Sequence, residues 1–372
     1  MTAEPLAAQR PPLFPNVRRS PYFERTQDAG ALEFMVYNHM YMPIVYARDP
    51  RAEYEALQSR VCLWDVGAER QTELRGPDAV RFANHLCTRD LRALAVGRCR
   101  FTMVCDHRGT IMTEPIVLRP WEDVVWISHG DVDLTLWARG LAAAHAFDVT
   151  VSEPDVAPMQ VQGPKSLELL RELSPDVESL GYYHCAVTQV AGEDAVVSRT
   201  GWNKNLGFEV YPLDDAGALR IWDAVVEAGA PYDLMIAGPN LSLAVEQGIT
   251  DNHYYVNSGM TPFEAGAGRL VDLDSAPFVG SDALAAAGVA EPERHTVGLL
   301  LDVPPGRMEA FWAIEWRGAA AGEVRWAAYS YALEREIGIA ILPRACAAGA
   351  EVVVHAPAGA ITARVASVPL VE

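Results

Sequence analysis

Gln160-Val161-Gln162-Gly163-Pro164-Lys165-Ser166-Leu167 runs from the end of a strand, through a Gly-Pro corner, into an amphipathic helix. Proline at the first helical position costs no hydrogen bond, and glycine turns the chain. The same pattern stands earlier at Glu73-Leu74-Arg75-Gly76-Pro77-Asp78-Ala79-Val80, with a looser echo at Gly238-Pro239-Asn240-Leu241. Two clear copies predict two related α/β halves in which strands mix with helices. They are too few and too far apart for a solenoid.

Outward from the corners, Arg100 to Cys105, Pro115 to Leu118 and Val124 to Ser128 have strand character. The turn-forming Asp106-His107-Arg108-Gly109 separates the first two. Asp49-Pro50 followed by Tyr54, Leu57 and Val61 predicts a capped amphipathic helix, and Leu219 to Ala228 a second helix ending near Gly229. Beyond about residue 290 the texture changes. Thr296–Val303, Phe311–Trp316, Ile337–Ile341, Glu351–Val354 and Ile361–Val368 are short apolar runs between turn residues, the pattern of a small all-β domain.

The 372 residues suffice for two or three domains. A formal net charge of −19 argues against a nucleic-acid partner, because phosphate contacts need clustered lysine and arginine. No run of about 18 apolar residues exists, so no membrane span is expected. Met1 to Pro15 is rich in proline and alanine and lacks the apolar stretch of a signal peptide; residues 1–20 are expected to form a flexible tail. Six cysteines, at 62, 87, 99, 105, 185 and 346, show no Cys-x-x-Cys spacing. Reduced, buried thiols in the cytoplasm are expected, with neither a zinc site nor a disulfide framework.

The candidate chemistry centres on Arg199-Thr200-Gly201-Trp202-Asn203-Lys204-Asn205-Leu206-Gly207-Phe208-Glu209-Val210-Tyr211. Alternation puts Glu209 and Tyr211 on one face of the second strand and Phe208 and Val210 on the other. A hairpin presenting Trp, Glu and Tyr suits a flat heteroaromatic ligand with N–H donors. An exposed hairpin with a solvated glutamate fits the same residues, and the local sequence leaves both readings open. Gly266-Ala267-Gly268 lacks the third glycine and the strand-turn-helix setting of a dinucleotide site. The nine histidines show no metal-ligand spacing, and no Gly-x-Ser-x-Gly occurs. Glu114, beside Pro115 at the start of a strand, is on spacing alone a turn residue.

In order along the chain, Val61-Cys62-Leu63-Trp64-Asp65-Val66, Leu74-Arg75-Gly76-Pro77-Asp78, Thr88-Arg89-Asp90-Leu91, Val161-Gln162-Gly163-Pro164, Arg199-Thr200-Gly201, Gly207-Phe208-Glu209-Val210 and Thr261-Pro262-Phe263-Glu264-Ala265-Gly266-Ala267-Gly268 resemble the folate-dependent aminomethyltransferase family typified by the glycine cleavage T-protein. Within that family, Val36-Tyr37-Asn38-His39-Met40, Trp64-Asp65-Val66 with Glu69-Arg70-Gln71, and Gly201-Trp202-Asn203-Lys204 resemble its dimethylsulfoniopropionate demethylase branch. A typical T-protein has Tyr where this chain has Trp202.

The resemblance implies an α+β, three-domain cloverleaf. Two intertwined α/β subdomains over residues 21–285 would hold the folate, and a small β-barrel would follow over 286–372. It implies tetrahydrofolate as co-substrate, with Glu209 as the pterin-binding carboxylate, Tyr211 beside the pterin, and Glu114 near the reactive folate nitrogens. It places Trp202 at the methyl donor and Tyr37 and Asn38 along the same pocket. The implied reaction moves a methyl group from a small donor, sulfonium, O-methyl or N-methyl, to N5 of tetrahydrofolate, in a monomer or homodimer. A T-protein-like aminomethyltransferase and a non-catalytic folate-binding module are the alternatives. Three departures bear on the donor: Glu stands at 114 for the family's Asp, Ala244 replaces a usual Arg, and the loop Asp251–Asn257 gains Tyr254 and Tyr255. Those tyrosines either line the channel and select the donor or pack into the core.

Overall fold

The computed structural model describes residues 13–203, 205–255, 257–287 and 292–371. Both Gly-Pro corners join a strand to a helix: Arg70–Arg75 to Ala79–Leu86, and Met159–Gln162 to Ser166–Leu173. Gly76 has φ +135° and Gly163 φ +121°. A Cβ would lie 2.8 Å from the Asp148 carbonyl oxygen at the first and 2.6 Å from that of Arg60 at the second. Only glycine accepts such a backbone at such a distance, so the two corners are one device used twice.

The first corner belongs to a five-stranded antiparallel sheet in the order Thr150–Ser152, Arg70–Arg75, Val124–His129, Ile116–Trp121, Arg98–Phe101. Helices Ala79–Leu86 and Leu134–Ala144 cover one face through Phe82, Leu86 and Leu134, packed on Leu74, Val125 and Ile127. The second corner belongs to a six-stranded sheet in the order Cys185–Val190, Glu193–Ser198, Gly207–Pro212, Met159–Gln162, Cys62–Asp65, Met235–Ala237. Helices Ser166–Leu173 and Asp215–Gly229 cover it with Leu169, Leu170, Ile221 and Trp222 against Phe208 and Val210. The uncovered faces of the two sheets meet, Leu118 and Trp126 on one and Val196 and Tyr211 on the other. Cys62–Asp65 precedes every strand of the first sheet yet pairs in the second, so the two halves are intertwined.

The third unit is a closed barrel in the order Arg294–Leu301, Arg335–Pro343, Ala319–Ser330, Trp312–Trp316, Glu351–Ala356, Gly359–Ala366. Its interior holds Leu299, Ile314, Val324, Leu342, Val354 and Ala363. The α+β class, the intertwined halves and the C-terminal barrel are as expected from the sequence.

The helix expected after Asp49 spans Pro50–Ser59, and the Asp49 carboxylate accepts from the Arg51 N–H at 3.0 Å. Of the expected tail, residues 1–12 lie outside the described residues. Phe14 N–H donates to the Tyr41 hydroxyl at 2.7 Å, and Ser20 donates to buried Asp65 at 2.5 Å. All six cysteines are buried free thiols. Among the described residues no helix is long and apolar enough to cross a membrane.

Candidate active site

The two sheets and the barrel enclose a cavity of about 1520 Å³. Among the described residues seven carboxylates line it, and four of them from separate segments, Glu69, Glu114, Glu209 and Asp251, are linked by charge; Glu53, Glu264 and Glu309 are the others. Glu209 lies on Gly207–Pro212, opposite Ser198 of the neighbouring strand. Its Oε2 accepts from Thr200 Oγ1 at 2.5 Å, Tyr211 OH at 2.8 Å and Ser198 Oγ at 3.3 Å. No described residue bonds Oε1. Burial raises the Glu209 pKa, against the opposing pull of the three hydroxyls. The exposed-hairpin reading is thus excluded, since Glu209 is only 5% exposed.

Tyr211 needs correction. It is fully buried, its ring 5.9 Å from that of Trp126 between the two sheets. It does not border the cavity and works behind Glu209 by donating to it. The alternation that set Glu209 and Tyr211 on one face holds, but that face is the seam between sheets.

Glu114 joins strands Ile111–Thr113 and Ile116–Trp121. Its Oε1 accepts from the Asn252 N–H at 3.1 Å, whereas Oε2 is buried and has no partner among the described residues. Burial, then the charge of Asp251, holds its pKa well above the usual carboxylate range. Glu69 is pushed well up by burial and by the charges of Glu209 and Asp251. Glu69, Glu114 and Glu209 are thus all held above the usual carboxylate range, by burial first, with neighbouring carboxylate charge adding to it for Glu69 and Glu114. His129, 4% exposed, is lowered to about 4 by burial and stays neutral, with Nδ1 2.8 Å from the Gly130 carbonyl oxygen. For His253 burial opposes the charged form, yet Asp251, whose Oδ1 is 3.6 Å from Nδ1, carries its pKa upward.

Trp202 lines the cavity. Its ring meets Trp64 edge-on at 6.5 Å and Trp326 of the barrel at 6.2 Å. Tyr37 is on the wall, its ring 5.2 Å from that of His253. Asn38, expected beside it, is behind the wall. It is 2% exposed, donates to the Ala68 carbonyl at 3.0 Å and accepts from Val132 N–H at 3.0 Å. It occupies a left-handed turn position with φ 49°, which asparagine tolerates well. The two loop tyrosines separate. Tyr255 is on the cavity wall, 2.5 Å from Thr250 Oγ1. Tyr254 is fully buried against the barrel and donates to Thr296 Oγ1 at 2.9 Å, so its placement along the channel is corrected. Adjacent residues on a helical turn point about 100° apart, and Asn252–Tyr255 is such a turn.

Glu69, Asp251, His253 and Trp326 were not singled out from the sequence as site residues. Glu69 had a signal in the motif after Trp64-Asp65-Val66, and Asp251 in the altered loop. Trp326 had none, because its strand lies over 120 residues from Trp202. Ala244, where the family has Arg, is buried in helix Leu241–Gln247. Among the described residues no cluster suited to a metal is present.

Comparisons with known proteins agree with this architecture. The GCVT N-terminal domain family matches residues 22–275, and the glycine cleavage T-protein C-terminal barrel domain matches residues 294–372. The dimethylsulfoniopropionate demethylase DmdA of Ruegeria pomeroyi is 31% identical, covering 89% of this chain and 92% of the relative. An aminomethyltransferase of Streptomyces avermitilis is 33% identical, covering 82% of this chain and 84% of the relative. The crystal structure of the glycine cleavage system aminomethyltransferase T from Bartonella henselae superposes with a TM-score of 0.83 at 21% identity, over 96% of this chain and 98% of that one, a likeness of fold. The acceptor oxygens of Glu209 and Glu114 that no described residue occupies suit the N–H groups of a reduced pterin. The chain belongs to the glycine cleavage T-protein family, as a folate-dependent one-carbon transferase whose co-substrate is tetrahydrofolate.

Proposed function

We propose that this enzyme is a demethylase that takes an intact methyl group from a small cationic donor of the dimethylsulfoniopropionate kind, giving 5-methyltetrahydrofolate. The observation that carries the reading is the pairing of an aromatic corner, Trp202 and Trp326, with four mutually repelling carboxylates in one cavity. A cation over an indole face gains about 0.5–2 kcal/mol. It also relieves repulsion among Glu69, Glu114, Glu209 and Asp251.

Bound tetrahydrofolate supplies the N5 lone pair that accepts the methyl group. The protein's part is orientation and charge. Glu209, its Oε2 fixed by three hydroxyls, aligns the pterin through Oε1. Glu114 offers its unpartnered Oε2 nearer the reacting nitrogens. Trp202 and Tyr37 wall the donor, and Tyr255 closes the neighbouring side. A sulfonium donor departs as a neutral thioether and needs no proton, so the neutral His129 is no obstacle. Holding donor and acceptor in line supplies several kcal/mol of the barrier reduction. We place the enzyme in the cytoplasm, where six buried thiols stay reduced.

An aminomethyltransferase reading is favoured by the 33% identical relative of that name. Turnover with a panel of sulfonium, N-methyl and O-methyl donors carrying fully deuterated methyl groups separates the two. Three deuteriums retained on a singly attached carbon support demethylation. Two deuteriums on a carbon bridging both folate nitrogens defeat it.

A further inference from the structure

Three buried side-chain amides, Gln160, Gln162 and Asn203, run in series beneath the turn that carries Trp202. Gln160 Nε2 donates to Gln162 Oε1 at 2.7 Å, and Gln162 Nε2 donates to Asn203 Oδ1 at 2.6 Å. A row of amides can run in either direction, and here the main chain of Asn205 sets it. The Asn205 N–H can only donate, and does so to Asn203 Oδ1 at 3.0 Å. The Asn205 carbonyl can only accept, and does so from Gln162 Nε2 at 2.9 Å. With Gln162 so fixed, its Oε1 takes the NH₂ of Gln160. Gln160 Oε1 is left over, an acceptor buried without a partner among the described residues. Room for the relay is built into the backbone: a Cβ at Gly201 would lie 2.6 Å from Gln162 Oε1 and 3.0 Å from Gln160 Nε2, and one at Gly207 would overlap the Gln162 amide. A buried acceptor left unbonded is a cost to the fold that a ligand can remove.

Gln160 borders the cavity. On strand Met159–Gln162 it stands directly opposite Glu209 on one neighbouring strand and Trp64 on the other. Residues so opposed share a face of the sheet, with Cβ atoms about 4.5–5.5 Å apart. Trp64 meets Trp202 edge-on, and Gly201, next to Trp202, lies over the Gln160 amide. The free oxygen therefore occupies the step between the carboxylate that we give to the pterin and the aromatic corner that we give to the donor.

We propose that Gln160 Oε1 receives the positive centre of the methyl donor and makes the site select an onium donor over a neutral one of nearly the same shape. Hydrogens on carbons beside a positive sulfur are polarised and meet a carbonyl oxygen favourably. An amide turned the other way would offer them its NH₂ and repel them. The relay through Gln162 to Asn205 therefore decides the sign of the contact. A neutral dipole also suits the reaction better than a carboxylate at this place. The sulfur loses its charge as the methyl group departs, so a full negative charge against it would hold the reactant more firmly than the transition state. The inference rests on the demethylase reading and names the residue that recognises the donor's charge.

The test sets dimethylsulfoniopropionate against 4-methylpentanoate, in which a carbon replaces the sulfur and its positive charge is gone. The KM of the first, read from the 5-methyltetrahydrofolate formed, and the inhibition constant of the second are measured for the wild type, Gln160→Met and Gln160→Asn. Circular dichroism checks folding, and calorimetry checks tetrahydrofolate affinity. The wild type should favour the sulfonium by about tenfold or more. Gln160→Met should raise the sulfonium KM by about tenfold, with kcat, the inhibition constant and folate affinity each within about threefold of wild type. Gln160→Asn keeps an amide but withdraws it by one methylene, so it should move the same ratio in the same direction by less. If Gln160→Met does not fold, the Asn variant decides by that ratio. An unchanged ratio overturns the proposal. So does an equal loss for both compounds, the mark of a merely structural role. A fall in folate affinity with the ratio intact overturns it too, by giving the oxygen to the pterin. A wild type that turns over no sulfonium donor strikes the demethylase reading itself.

Discussion

Replacing Glu209 by Gln changes one atom and separates binding from stability. In the wild type, Thr200, Tyr211 and Ser198 all donate to Oε2, at 2.5, 2.8 and 3.3 Å. Three donors will keep an oxygen at that position, so the amide of Glu209→Gln turns its NH₂ to the cavity. There it meets the pterin's N–H donors with another donor. A hydrogen bond to a charged group contributes about 1.5–3 kcal/mol, so tetrahydrofolate affinity should fall roughly ten- to hundredfold.

The folding effect has the opposite sign. Burial raises the Glu209 pKa in the folded protein. Its contribution to stability is therefore fully present below the unfolded pKa and lost as pH rises through the folded one. As pH rises the wild type comes to bury a charge that Glu69 senses, and the variant does not. The ligand-free variant should thus melt at or above the wild-type temperature at about pH 8, with the difference closing toward about pH 5. Calorimetry with tetrahydrofolate and thermal melts at both pH values measure the two halves. Unchanged folate affinity removes Glu209 from the site. A large loss of stability at the higher pH means that the carboxylate is there for the fold.

Trp202→Leu should raise the KM for the methyl donor about tenfold or abolish turnover, since a cation–π contact contributes up to about 2 kcal/mol, while calorimetric folate affinity stays within about threefold. Donor binding should release protons from the carboxylate group, because a nearby positive charge lowers raised pKa values; calorimetry in buffers of different ionisation enthalpy reads this, and identical heats refute it. Glu53, 9% exposed with Arg48 Nε at 3.8 Å, is raised to about 7 by burial, so Glu53→Gln should stabilise by about 1–2 kcal/mol at about pH 8, with the gain vanishing only toward about pH 4, in denaturant melts. Tyr254→Phe should cost about 1 kcal/mol of stability through its bond to Thr296 and leave donor KM unchanged, a KM shift being the contrary result.

What was legible in the sequence was what chain-local chemistry decides. The Gly-Pro corners announced themselves because φ near +120° to +135° against a carbonyl admits no side chain. The Asp49 cap and the change to short apolar runs beyond residue 290 are likewise local signals. The membership of Cys62–Asp65 in the second sheet was not legible, because its pairing with Met159–Gln162 joins segments about a hundred residues apart. The same limit decided Tyr211 and Tyr254. Alternation gave the face of Tyr211, but whether that face meets a ligand or another sheet depends on which sheet arrives there.

Glu209 lies on a strand and Glu114 between two strands, and their motifs travel with those elements. The surroundings we propose for the donor are assembled otherwise. Trp202 comes from a loop of the second sheet, Trp326 from the barrel, Glu69 from a turn before the first sheet, and Asp251 from the loop after a helix. Each alone is an ordinary turn or loop residue. Their character arises from crowding: the Glu69 pKa is raised well above the usual carboxylate range by burial and by carboxylates about 140 and 180 positions further along the chain. A property created by distant charges has no pattern of spacing to carry it. The substitution of Glu for Asp at 114 is the exception, for it lengthens a carboxylate whose outer oxygen finds no partner among the described residues. In the proposed complex that extra reach leaves donor and pterin as the oxygen's two candidates. If it serves the donor, Glu114→Asp should raise the donor's KM and leave calorimetric folate affinity within about threefold. If it serves the pterin, folate affinity should fall instead, and the link between this residue and donor choice is lost.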